Sequence, residues 1–355
     1  MKFRTWMSMT VACLFAALAI TVQISAQITT FNVTGAGTGS GQGTTPAQIN
    51  VWGSITGYYA DSSGVYHGFL RAPNGSITTF DPTGSIFTAA YSLNLEGSIA
   101  GYYIDSTLFQ FHGFLRAPDG TFTTFDPTGS TATFASNIND FGAIAGFYAD
   151  SSGLYHGFVR ASNANITTFD PTGSQGTFTV SASGLNDAGA IAGEYLDSSG
   201  VYHGFLRAGN GTITRFNVTG AGTSAGQGTI SASINNFGVI AGGYIDSSGV
   251  HGFLRAPDGN ITKFDVKGAG TGAGQGTFAE NLNDFGVIAG NYIDSSGVNH
   301  GFVRTPDGNI TKFNVKAAGT ASGQGTVAGS NNLEGVTAGN YIDSSGVYHG
   351  FLRLP

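Results

Sequence analysis

The chain has 355 residues, 57 of them Gly, and only 10% are charged, against about 25% in an average soluble domain. A single Cys excludes a disulfide scaffold, and a net charge of −7 argues against a nucleic-acid partner. Disorder is excluded by 41% hydrophobic and 12% aromatic residues, and collagen by the lack of a three-residue Gly period, which leaves a Gly-rich all-β protein.

Residues 1–26 read as a secretory signal peptide. Lys2 and Arg4 precede an apolar run from Val11 to Val22, and Ser25-Ala26 offers small residues for cleavage. The run is too short for a span, which needs about 20 residues, and Cys13 lies within it rather than at its end. The expectation is export to an extracellular or periplasmic space in a bacterium, without stable membrane insertion. Cleavage removes Lys2 and Arg4 and takes the charge from −7 to −9. Residues 27–355 then form a single domain, expected to be monomeric.

That domain is one unit written seven times. The string HGF[LV]R recurs with His at 67, 112, 156, 203, 251, 300 and 349. Each unit carries an N-x-x-G turn, from Asn50 to Asn332, and four carry a P-[DN]-G turn such as Pro73-Asn74-Gly75. A D-S-S-G turn begins at Asp61, Asp150, Asp197, Asp246, Asp294 and Asp343, while the unit at Asp105 departs from it. Asn or Asp, Pro and Gly fall where type I turns favour them. Short runs rich in Ile, Val, Phe, Tyr and Thr lie between the turns. In the fifth unit they are Ser231–Asn235, Val239–Ile245, Val250–Arg255 and Ile261–Asp265, too short for helices. The unit is read as a four-stranded antiparallel meander, followed by a connector of roughly ten to fifteen residues.

Seven such units predict a seven-bladed β-propeller. The ends are complementary. Ile28-Thr29-Thr30-Phe31 is a lone fourth strand, and His349–Arg353 is a third strand with no fourth after it. The N-terminal strand is therefore expected to complete the C-terminal blade, which closes the ring and removes an exposed edge.

Strings such as LNDAGAIAGEY and INNFGVIAGGY, followed by YHGFLR, resemble the repeats of the HAF family of extracellular bacterial proteins. Here Gly replaces the family's Ala in all seven copies, as at Gly157 and Gly204. The resemblance covers nearly all of residues 28–355 and implies a secreted repeat protein. It transfers no catalytic residue.

The seven His fall on the third strands of seven blades and cannot converge on one ion. One His and one Asp make a poor metal site, so His67, His112, His156, His203, His251, His300 and His349 are read as structural. The D-S-S-G turns lack the alternating carboxylates of a calcium loop. The Gly-rich connectors, such as Gly35–Thr44 and Gly268–Thr277, lack the Lys and helix of a phosphate loop. No cofactor and no metal is expected. An enzyme site should break the repeat, and Glu194 and Glu280 do so. Glu280 is expected before a first strand near the channel, while Glu96 and Glu334 sit in solvated turns.

A second asymmetry separates short connectors (D-P-T-G-S at Asp81, Asp126 and Asp170) from long Gly-rich ones starting at Asn32, Asn217, Asp265 and Asn314. The basic residues outside the repeat motif, Arg215, Lys263, Lys267, Lys312 and Lys316, accompany the long ones and form the candidate ligand-binding arc. The sequence reading is an exported recognition or scaffold protein for a polysaccharide or an extracellular protein. A carbohydrate-active hydrolase or lyase using the two Glu, and a structural matrix component, are the alternatives.

Overall fold

The computed structural model describes residues 27–179 and 183–355; the leader assigned to 1–26 lies outside the described residues. Every regular element among them is a β-strand. Antiparallel pairing of neighbouring runs forms the expected meanders. In the fifth unit the strands are Gly228–Ile234, Ile240–Asp246, Gly249–Arg255 and Ile261–Phe264. The first strand thus begins three residues earlier than the β-rich run. Gly228 adopts a positive φ of 124° and pairs with Ile245 on one side and Tyr202 of the preceding unit on the other.

Two further expectations change. The connectors at residues 81–84, 126–131 and 170–175 are shorter than predicted, and only 32–42, 217–227, 265–275 and 314–324 have the expected length. Glu280 lies inside a first strand, Gly276–Leu282, rather than before it. It occupies a β-bulge between Ala279 and Asn281. The same bulge recurs in five other first strands, at Ala47, Tyr91, Ser136, Ala232 and Gly329. A bulge inserts one unpaired residue and re-aims its side chain.

The core lies between units. Each hydrophobic cluster joins residues from two neighbours, as when Ala145 packs with Ile191, Tyr195 and Phe205. The Phe of all seven HGF[LV]R motifs is fully buried. The Gly before it is a packing requirement. A Cβ at Gly157 would lie 2.5 Å from the Phe169 ring of the paired fourth strand, and Gly68 meets Phe80 in the same way. The motif Arg then reaches across the boundary. Arg207 lies 4.9 Å over Phe169 of the preceding unit, and Arg71 lies 4.9 Å over Phe31 of the N-terminal strand. That strand, Ile28–Phe31, pairs antiparallel with Tyr348–Arg353.

The N-x-x-G turns form a second inter-unit link. Each Asn side chain accepts from backbone N–H groups of its own turn, as Asn139 does from Phe141 and Ala143. Its amide donates to the backbone carbonyl of the next unit's Asn: Asn50 to Asn94, Asn94 to Asn139, Asn139 to Asn186 and Asn186 to Asn235. Asn235 donates to Asn283, Asn283 to Asn332, and Asn332 to Asn50. These turns pack beside the turns between third and fourth strands, as Gly238 does on Pro257. The connectors and D-S-S-G turns meet at the opposite ends of the strands, where Gly37 N–H donates to the Ala60 carbonyl and Gln42 to the Ser62 carbonyl. A turn face and a connector face result.

Candidate functional site

The repeated His are occupied by the fold. Each bridges two elements of its own meander. For His156, Nδ1 lies 2.7 Å from Asp170 after the fourth strand, and Nε2 lies 3.3 Å from Asp150 of the D-S-S-G turn. The ring packs on the second-strand Tyr, with Tyr148 at 5.2 Å and Tyr341 at 4.7 Å from His349. At His203, His300 and His349 the fourth-strand partner is Asn217, Asn314 or Asn32 instead of Asp. Burial alone would lower the His156 pKa, but the hydrogen bonds to Asp170 and Asp150 outweigh it and raise it. Asp197 is held below the ordinary carboxylate range, first by its hydrogen bond from His203. Among the described residues no group of three His, Cys, Asp or Glu is placed to hold a metal ion.

The basic residues occupy the connector face. Arg215, Lys263 and Lys312 take one position on three successive fourth strands, where Thr30, Thr79, Thr124 and Thr168 stand in the other units. Each donates to a carbonyl of the preceding connector: Arg215 to Thr172 at 2.9 Å, Lys263 to Thr219 at 3.2 Å, and Lys312 to Lys267 at 3.1 Å. Lys263 and Lys312 also sit 5.5 and 5.7 Å over Tyr244 and Tyr292. Lys267 and Lys316 are exposed on the long connectors.

The turn face carries aromatic residues to which the sequence reading gave no role, although Trp52 stands out there as a departure from the repeat. The third position of the N-x-x-G turn holds Trp52, Phe141, Phe237 and Phe285, each about 70% exposed (67, 72, 70 and 67%). The residues just before them in the turns, Val51, Asp140, Asn236 and Asp284, help line a cavity of about 380 Å³ with Asp187 and six of the seven turn Asn residues. The second turn positions form their own ladder. Leu95 N–H donates to Asp140, Asp140 to Asp187, Asp187 to Asn236, and Asn236 to Asp284. Burial, then repulsion from Asp187, Asp284 and Glu96, raises the Asp140 carboxyl despite the Leu95 bond. Glu96 and Glu334 are exposed in this face. The available signal was an aromatic side chain in four of seven copies of a short polar turn, where local structure has no use for it.

The two remaining symmetry-breaking carboxylates come together. Glu194 and Glu280 line one cavity of about 300 Å³ between the fourth, fifth and sixth units. The cavity exists because an aromatic wall ends there. In the first four units the second-strand position opposite the motif Gly holds Tyr58, Tyr102, Phe147 and Glu194, and the next units carry Gly243, Asn291 and Asn340. Tyr58, Tyr91, Tyr102, Phe134, Phe147 and Phe178 pack ring on ring across the early boundaries. Beyond Phe178 that packing gives way to Glu194, Gly243 and the open space. Glu194 is 7% exposed and accepts one hydrogen bond, from Ser231 N–H at 3.3 Å. Burial pushes its carboxyl up to about 8, which that bond only partly offsets. Glu280 keeps some accessible surface, and desolvation raises its carboxyl as well.

No family model and no curated protein sequence matches the chain. Its structure is similar to three solved ones. Virginiamycin B lyase from Staphylococcus aureus is 12% identical with a TM-score of 0.56, the match covering 93% of this chain and 100% of that one. The β-propeller domain of the Trilobed protease from Pyrococcus furiosus is 7% identical with a TM-score of 0.58, over 87% and 95% of the two chains. The BP39L lectin from Burkholderia pseudomallei is 12% identical with a TM-score of 0.53, over 87% and 97%. Identities this low establish the fold, which is a β-propeller.

Proposed function

We propose that this β-propeller is an exported, non-catalytic recognition protein that binds polysaccharide on its turn face. The observation that carries the reading is the set of four exposed aromatic side chains, Trp52, Phe141, Phe237 and Phe285, each in an N-x-x-G turn and next in sequence to a residue that lines the turn-face cavity. Large apolar groups left in water on one face mark an interaction surface. A sugar ring has apolar C–H faces and an edge of hydroxyls, which suits flat rings beside the Asp carboxylates of the turns. The leader read in residues 1–26 is the basis for export.

The ring in this reading has seven four-stranded blades, with Ile28–Phe31 as the fourth strand of the last. The pairing of that strand with Tyr348–Arg353, the Arg71–Phe31 stack and the Asn332-to-Asn50 bond support closure.

The hydrolase or lyase alternative draws support from Glu194 and Glu280 lining one cavity. Acid–base work by two carboxyls needs their pKa values pushed apart. Here burial raises both, and among the described residues no basic side chain lines the cavity to hold either one ionised. We therefore read this second cavity as a binding site.

The test is a polysaccharide screen read by the emission of Trp52, the only Trp after the leader. A bound glycan is expected to shift that emission. Phe237→Ala with Phe285→Ala, which keeps Trp52 as the reporter, should weaken binding at least about tenfold, or ~1.4 kcal/mol. Changing Lys263, Lys267, Lys312 and Lys316 to Gln should leave it intact. Loss in the Lys variant alone would move recognition to the connector face, and no binding to any polysaccharide would remove the glycan reading.

A further inference from the structure

The cavity between the fourth, fifth and sixth units is separate from the turn face and has chemistry of its own. Its walls include Ile230, Ile245, Val250 and Phe278. Among the described residues its ionisable lining groups are Glu194, Glu280 and Tyr202, with no Lys, Arg or His. Ser231 also lines it; this residue is 5% exposed, and its Oγ has no hydrogen-bond partner. Buried polar atoms are ordinarily paired, so an unpaired hydroxyl beside two carboxyls calls for an explanation.

The fold does not require these groups. At the Glu194 position the other units carry Tyr, Phe, Gly or Asn, and at the Glu280 bulge Ala, Tyr, Ser or Gly. Two acids without a cationic partner among the described residues line one place, where the aromatic filling is also missing.

We propose that this cavity binds a small organic cation, an ammonium group on an apolar body, with Glu194 and Glu280 as its counter-ions and Ser231 Oγ as a hydrogen-bond acceptor. The volume of about 300 Å³ is at the lower end of small-molecule sites. An ammonium supplies three donors and no acceptor, which complements two carboxylates and a hydroxyl oxygen. The aliphatic walls and the Phe278 ring receive the apolar body. Buried pairing with a charge is the condition under which buried carboxylates ionise. The free protein holds the Glu194 proton past neutrality, so binding an ammonium there releases a proton to solvent.

Calorimetry on the purified protein near neutral pH tests this with hexylamine and phenethylamine against 1-hexanol and 2-phenylethanol, which share their apolar bodies. The amines are expected to bind at least about tenfold tighter than the alcohols. Titrations in two buffers of different ionisation enthalpy should show proton release. Glu194→Gln and Glu280→Gln should each weaken the amines about tenfold and leave the alcohols unchanged. Amines and alcohols binding equally, no amine binding at millimolar concentration, or full amine affinity in the double Gln variant would each overturn the proposal. The amine–alcohol comparison uses the unaltered protein, so it stands even where a variant fails to fold.

Discussion

A carboxyl in an apolar cavity leaves a signature in the pH dependence of stability. The folded-state pKa of Glu194 is about 8 against an ordinary 4.5, so the folded protein holds a proton that the unfolded chain has released. Its contribution is complete below about 4.5, declines as pH rises, and is lost above about 8. Glu194→Gln removes that term. Melting temperatures of the variant are expected to fall less than those of the parent between about pH 5 and pH 8. Parallel profiles would show that the group is solvated. Local context separates Glu194 from Glu96 by burial alone: both break the repeat, but only the first faces a cavity. Sequence identified both residues as departures and placed Glu96 in a solvated turn. The meeting of Glu194 with Glu280, 86 residues later, depends on how units stack.

The unit of construction is the turn-and-strand element, and its polar residues hold it together. One Asn at each N-x-x-G turn satisfies its own backbone and grips the next unit. Asn139 makes three such bonds, from Phe141 and Ala143 and to Asn186, and is 6% exposed. Asn139→Ala leaves buried partners unpaired, and a loss of about 2–4 kcal/mol in chemical denaturation is expected. A change below ~0.5 kcal/mol would mean that water replaces the side chain. Strand periods and turn signals were readable in the sequence because β-rich runs and Asn–Gly spacing are local properties. The bulge was not, because it is a register property of two strands. That is why Glu280 was expected outside the strand that contains it.

At the scale of the whole molecule, the pairing of the N-terminal strand with Tyr348–Arg353 is expected to carry much of the stability. The N-terminal strand supplies Phe31 to both the Gly350 packing and the Arg71 stack. Deleting Gln27–Val33 opens an edge and uncovers the Phe69 neighbourhood, since Val33 and Phe31 pack in that cluster. A sharp drop in melting temperature and a tendency to associate through the free edge are expected. Unchanged thermal melting would refute the shared blade.

The all-β class, the seven-fold repeat, the turn positions and the complementary end segments were legible along the chain. Each of these is written in local residue preference or in recurrence along the chain. Sequence by itself also determined that Gly, not Ala, precedes the motif Phe, although the reason, the Phe169-type ring lying on it, is a contact between paired strands. Only the tertiary structure decided which side chains lack a local partner. Trp52, Phe141, Phe237 and Phe285 share one face, the five basic residues share the other, and two buried acids share a cavity. Those groupings arise from the stacking of separate units, and stacking joins residues that the linear order holds 40 to 90 positions apart.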